Sequence, residues 1–262
     1  MPYIKLGTQG PLTARRVLVT GPPNSFKTTS LATWPRPIHI ISLPGEKGYE
    51  SIPREEGIQS YALQLDPAEK SSSQAIVSEV IKLSLEVVAG KHGPCTTFAG
   101  DGLHKLYSHM LNMVTGGAYC QGEDFEPRLY ARAHEHFRFY LDRIMTTTTP
   151  YVVFTCWDGR EPDNPDLKSA SPTHVYPDLP GKMAKNIMGE FSIVVYASVK
   201  HPMSGEGGKP TSTWQLLPHG KVWGAAIKAP KEVVERIPLT IAQDFRELER
   251  VLQAAQTKKE TK

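Results

Sequence analysis

A chain of 262 residues, 39% hydrophobic and 22% charged, has the length for one large α/β domain or two small ones, and its composition excludes wholesale disorder. A formal net charge of +3 allows a nucleic-acid partner without demanding one. Three widely spaced cysteines, Cys95, Cys120 and Cys156, form no C-x-x-C pair, which argues against a disulfide framework or a zinc site and for a reducing cytoplasm.

No apolar run reaches the ~18 residues of a membrane helix, and the N-terminal stretch lacks the apolar centre of a signal peptide, so a cytoplasmic protein with no membrane partner is expected. In chain order, "RRVLVTG" (15–21) is a β-branched run that predicts a buried strand. "KTTSLATW" follows as a short helix that Pro35 stops, and "PIHIIS" (37–42) and "IQSYALQL" (58–65) predict two more strands. "SSSQAIVSEVIKLSLEVVAG" predicts a helix with serines at its start and Gly90 at its end. "CTTFAGD" (95–101) is a strand leading into the helix "GLHKLYSHMLNMV". Over 126–145, Leu129, Ala133, Phe137, Leu141 and Ile144 recur on one helical face. "YVVFTC" (151–156) and "FSIVVYASV" (191–199) are strands, separated by a Pro- and Asp-rich connection over 157–181. "STWQLL" and "KVWGAAI" predict a hairpin around "PHG", then a helix over 240–255 and a disordered charged tail over 256–262. Strands alternating with helices predict an α/β domain, 1–255, with a mostly parallel sheet whose ligands bind at the carboxyl ends of the strands.

That edge holds the chemistry. "TGPPNSFKTTSL" (20–31) nearly matches G-x-x-x-x-G-K-[ST], in the strand–turn–helix context a phosphate loop requires. Gly21, Pro22, Pro23, Asn24, Ser25, Phe26, Lys27, Thr28 and Thr29 would surround the phosphates of ATP, Lys27 reaching the β- and γ-phosphates and Thr28 ligating Mg²⁺. Phe26 stands where a second glycine belongs. If its φ is positive, the side chain costs about 1–2 kcal/mol; if negative, only its N–H matters, and the residue types leave both open. Asp101, at the end of "TTFAGD", is placed to ligate the metal or to cap the following helix, and the two roles are compatible. Glu46, just beyond the second strand, is a candidate for the group that deprotonates the attacking water, with Glu50 behind it. Thr155, Trp157 or Asp158 could sense the γ-phosphate.

Taken together, "GPPNSFKTT", Glu46, "TTFAGDGL", "YVVFTC" and "FSIVVYASVKHP" resemble the RecA-like ATPase core, and more narrowly the phage nucleotide-binding P-loop proteins that include single-strand annealing proteins. The resemblance implies a RecA-like fold and a Mg²⁺-dependent ATPase acting on single-stranded DNA in recombination, annealing or repair. It implies a homo-oligomer with Glu46 as catalytic base and Lys228, or failing it Lys221, reaching a neighbouring subunit's γ-phosphate. It further implies DNA contact by 157–181 and 200–213, through Arg160, Lys168, Lys182, Lys200 and Lys209, with Trp157 and Tyr176 as stacking surfaces. Glu161, Asp163, Asp166 and Asp178 oppose that contact, and Cys156-Trp157 supplies no Gln or His at the sensor position. The alternative is a nucleotide-binding switch or packaging accessory without DNA-coupled hydrolysis.

Overall fold

The structure is a computed structural model and describes residues 15–43, 46, 48–63, 73–161, 174–180, 183–200, 209–219, 222 and 224–257. Its elements are β1 (Arg16–Gly21), α1 (Lys27–Ser30), β2 (Ile38–Ser42), β3 (Ile58–Ala62), α2 (Ser73–Val88), β4 (Thr97–Asp101), α3 (Leu103–Val114), α4 (Ala118–Gln121), α5 (Pro127–Met145), β5 (Tyr151–Glu161), β6 (His174–Pro177), α6 (Met183–Asn186), β7 (Ile193–Lys200), β8 (Thr211–Gln215), β9 (Ala226–Ile227), α7 (Lys231–Val234), β10 (Thr240–Ala242) and α8 (Phe245–Thr257).

Side chains alternate faces along each strand, and the apolar runs fill both. Leu18 of β1, with Phe98, Val152 and Phe154, packs under α2, α3 and α5. Its neighbours Val17 and Val19, with Ile38, Ile40 and Val153, point the other way, against Leu31, Trp34 and the apolar face of α8. The sheet therefore has helices on both faces, which explains why the middles of its central strands are runs of apolar residues such as Val17–Val19 and Val152–Phe154. On α5, Ala133, Phe137, Leu141 and Ile144 are buried as the periodicity predicts, while Leu129, in the first turn, is only half-buried.

The sheet runs β10-β8-β7-β1-β5-β4-β2-β3, with β6 pairing β5 and β9 pairing β7. From β7 to β3 every path neighbour is parallel. The register brings Gly21 level with Trp157, Thr20 with Tyr196, and Ser42 with Asp101. All of these lie at the carboxyl edge, where the chain leaves the sheet for the site.

Four expectations need correction. "STWQLL" and "KVWGAAI" do not pair with each other. β8 pairs antiparallel with β7 and with β10, while β9 pairs with β7. Between them "PHG" contributes only the single bridge His219–Val222. In this arrangement Trp214 sits opposite Ala197 on one side and Ile241 on the other, fully buried, a larger apolar gain than a local hairpin offers. The last helix begins at Phe245 rather than 240, because Thr240–Ala242 is strand and Asp244 then caps the helix, its Oδ1 accepting the Arg246 N–H at 2.7 Å. That helix continues to Thr257, so the disordered tail read over 256–262 is helical at its start, and 258–262 lie outside the described residues. The connection after "YVVFTC" is also less irregular than read: β5 continues to Glu161 and pairs antiparallel with β6.

Candidate nucleotide site

The turn after β1 holds its shape through one lysine. Lys27 Nζ donates to the carbonyls of Gly21 at 2.8 Å and Pro22 at 2.6 Å and to Ser25 Oγ at 3.2 Å, folding the ammonium back onto its own loop. Only 7% of Lys27 is exposed, and burial pulls its pKa down against the opposing pull of Asp158, Cys156, Asp101 and Glu46. Phosphate oxygens are stronger acceptors for this charge than carbonyls, so the lysine is held close to where it would act.

Gly21 is required for close approach: a Cβ there would lie 2.4 Å from the Ala197 carbonyl oxygen on β7. Asn24 takes φ 62°, a left-handed conformation that asparagine tolerates. Phe26 also falls in the left-handed region, φ 58° and ψ 22°, which decides between the two alternatives left by the sequence. Its position wants a glycine, and the ring stands 47% exposed at the cleft mouth. α1 is a single turn, so the loop's own N–H groups rather than a long helix dipole must hold an anion.

Asp101 ends β4, two strands from β1, with β5 between them. Thr28 Oγ1 donates to both of its carboxylate oxygens, at 2.9 and 3.0 Å, and Thr155 Oγ1 on β5 donates to Oδ1 at 2.5 Å. Thr155 in turn accepts the Gly102 N–H at 3.0 Å. Asp101 is 2% exposed, and desolvation pushes its pKa up despite these donors. Among the described residues the side-chain donors bonded to this buried carboxylate are neutral hydroxyls, and a divalent cation would add a positive counter-charge at bonding distance. Hydroxyl and carboxylate oxygens are the hard ligands Mg²⁺ prefers, and that ion characteristically takes only one or two protein ligands beside phosphate and water. Thr28 and Asp101 fit it. Among the described residues no cluster of three potential ligands offers another metal site.

Glu46 turns into the same cleft, its side chain 11% exposed, and burial, then the Asp101 charge, push its pKa up. Glu50 is exposed on the following 3-10 turn, which separates the two candidates by placement. A Cβ on Gly102, φ 95°, would meet Glu46 Cγ at 2.8 Å, and one on Gly48 would meet Thr28 Oγ1 at 2.4 Å. These two glycines fit the acid and the threonine into one cleft of about 530 Å³ that also admits Pro23 to Thr29, Asp101, His104, Thr155 and Trp157. A volume of that order suits a nucleotide.

Of the residues named from sequence, the cleft gathers most of the loop, Glu46 and Asp101. Lys228 is elsewhere: its N–H bonds Ser192 O at the amino end of β7, and its ammonium bonds Gly189 O. With about 3.3 Å of rise per residue, β1 puts roughly 17 Å between that edge and the loop, so Lys228 does not reach the loop of its own chain. Lys221, Lys168 and Lys182 lie outside the described residues, as does the Arg160 side chain. Trp157 is engaged inside the cleft, stacked on His104 at 4.6 Å. Lys200 and Lys209 are exposed on β7 and just before β8. Two residues that matter here drew no attention in the sequence: His104 and Gly48. His104 is the second residue of α3, just after the strand that ends in Asp101, and a polar ring at that helix start was the available signal.

A parallel sheet with helices on both faces, and a lysine-bearing loop opposite a buried aspartate at its carboxyl edge, define a P-loop nucleotide-binding domain. A family model described as an AAA domain matches residues 13–224, and the chain belongs to that family. Among solved structures it is similar to the flagellar accessory protein FlaH from Methanocaldococcus jannaschii, with 8% identity and a TM-score of 0.37 over 82% of this chain and 81% of that one. No curated protein matches its sequence. Among the described residues no helix is long and apolar enough to cross a membrane.

Proposed function

We propose that the protein is a RecA-like, Mg²⁺-dependent ATPase whose loop 21–29 binds ATP and whose Glu46 activates water. The observation that carries this is the meeting of Lys27, Thr28, Asp101 and a buried, cleft-facing Glu46 in one cavity. Lys27 would release its loop carbonyls for the β- and γ-phosphates, and the loop N–H groups would fix the phosphate chain. Bound Mg²⁺, held by Thr28 and Asp101, supplies neutralisation of charge on the phosphate oxygens. Water attacks the γ-phosphorus as the bridging P–O bond breaks, ADP leaves with the electron pair, and Glu46 accepts the proton from the water. Burial raises the Glu46 pKa above the ordinary glutamate value, which makes its carboxylate a stronger base.

Coupling to single-stranded DNA, in recombination, annealing or repair of phage type, is the finer part of the reading. In its support, the β5–β6 pair and the β7–β8 pair both extend past the carboxyl edge beside the loop, and Tyr196 Oη joins them by donating to Asp158 Oδ2 at 3.0 Å. Lys200 and Lys209 accompany the second pair. Assembly as a homo-oligomer would bring Lys228 to a neighbour's γ-phosphate.

Steady-state ATP turnover with and without single-stranded DNA, beside Lys27→Ala, tests the whole. Lys27-dependent turnover that rises with DNA is the expected result. Turnover indifferent to DNA removes the coupling, and ATP binding without turnover leaves a nucleotide switch.

A further inference from the structure

Two buried polar atoms in the cleft have no hydrogen-bond partner among the described residues, Glu46 Oε1 and His104 Nε2. They face each other at 3.3 Å, with side chains 11% and 6% exposed. That separation is too short to hold a water between them and is closed to a hydrogen bond by a small rotation of either group.

The proton on His104 can be assigned from its other contact. Nδ1 accepts the backbone N–H of Trp157 at 3.4 Å, and a backbone N–H only donates, so the neutral ring carries its hydrogen on Nε2, toward Glu46. Burial, with Lys105 and Lys27 adding to it, lowers the imidazole pKa to about 3. The contact is therefore a neutral donor against a carboxylate and not an ion pair. The ring is also clamped: it stacks on Trp157 with planes 26° apart, and the Lys105 ammonium lies 4.9 Å from that indole. Glu46, by contrast, comes from the connection after β2 and has no side-chain hydrogen bond of its own at Oε1.

We propose that His104 is the positioning residue for the base, its Nε2–H donating to the Glu46 carboxylate and fixing the oxygen that faces the attacking water. This rests on the reading of Glu46 as base. His104 is the second residue of α3, which Gly102 alone separates from Asp101, so the helix that begins beside the metal-ligating aspartate also sets the orientation of the base. The histidine absent from the sensor position on β5 is thus supplied from α3, against β5's own Trp157.

The test uses the full chain with His104→Phe, which keeps a ring against Trp157 and removes the donor, and His104→Gln, which restores one. Each is made alone and, for Phe, also with Glu46→Gln. Turnover is measured beside the affinity for Mg²⁺ and a non-hydrolysable ATP analogue. A misplaced reacting group loses about 10²-fold, so His104→Phe should lower kcat roughly 10- to 100-fold with analogue affinity within about threefold. His104→Gln should recover most of that loss, and the Phe change should add nothing once Glu46 is Gln. Full kcat in His104→Phe, no rescue by Gln, or an equal loss in the Glu46→Gln background overturns the proposal. Wild-type turnover in Glu46→Gln would instead remove the base itself. Independently of turnover, imidazole ¹⁵N shifts, assigned by their loss in His104→Gln, should show hydrogen on Nε2; hydrogen on Nδ1 overturns the proposal even if a variant fails to fold.

Discussion

Replacing Phe26 by alanine and by glycine separates two contributions that one residue combines. The backbone there is left-handed, φ 58° and ψ 22°, and the ring is 47% exposed. Removing the ring forfeits about half of a buried phenylalanine's contribution, about 1 kcal/mol, and both substitutions bear this equally. Alanine retains the Cβ that makes the left-handed region unfavourable by about 1–2 kcal/mol, and glycine removes it. Against this, glycine enlarges the unfolded ensemble by about 0.4–1 kcal/mol relative to alanine. The balance favours glycine over alanine by roughly 0.5–1 kcal/mol, the reverse of the order at an ordinary right-handed helical position. Urea unfolding of the nucleotide-free protein measures it, and for a chain of this size the Tm of Phe26→Gly should lie about 1–4 °C above that of Phe26→Ala. Alanine as stable as glycine, or more so, would refute the strained loop. Nucleotide affinity is a separate readout. Because the left-handed turn is already formed without ligand, its cost appears in both free and bound states, and Phe26→Gly should change Kd by no more than a few-fold. A tenfold gain, about 1.4 kcal/mol, would mean that the empty loop relaxes and must be re-strained on binding.

Glu46→Gln should abolish turnover by about 10²- to 10⁴-fold while ATP still binds, and wild-type kcat should fall on acidification at a pH above the ordinary glutamate range, since burial raises this pKa. The same shift has a stability consequence of opposite sign to the usual one. The folded state binds the Glu46 proton more tightly than the unfolded chain does, so stability is lost as pH rises through the folded pKa, and Glu46→Gln should raise Tm at pH 7 but not near pH ~3, where the acid is neutral in both states. Gly48→Ala should push the Thr28 hydroxyl away from Asp101 and weaken Mg²⁺-dependent nucleotide binding about 10- to 100-fold, the equivalent of one hydrogen bond to a charged group; titration showing affinity within twofold of wild type would refute that packing. Lys27→Ala and Lys228→Ala, each inactive alone, should regain part of the turnover when mixed if Lys228 acts across a subunit boundary, and unchanged inactivity in the mixture removes its trans role.

The parts of the site legible in the sequence are those announced by a strand ending. Lys27, Asp101 and Glu46 each follow an apolar run, and a parallel sheet brings such ends to one edge whatever the details of packing. Phe26 was legible as a question and needed a dihedral angle to answer. The pairing of β8 was not legible, because Trp214 gains its burial from Ala197 and Ile241, which lie 17 and 27 residues away in the chain, while "PHG" supplies an attractive local alternative. Strand β10 was hidden for a related reason: "TIAQDF" continues smoothly into an amphipathic helix, and only the Asp244 cap marks the boundary. His104 was obscured by its surroundings, a lone histidine in an otherwise ordinary helix until its distance to Glu46 is known.

Strand β5 runs unbroken from Tyr151 at the base of the sheet, past Thr155, to Glu161 beyond the edge. Its Thr155 hydroxyl donates to Asp101, and its far end pairs antiparallel with β6. The strand whose threonine holds Asp101 therefore also carries, on the same backbone, the residues that pair with β6, so the cleft and that pair share one covalent element.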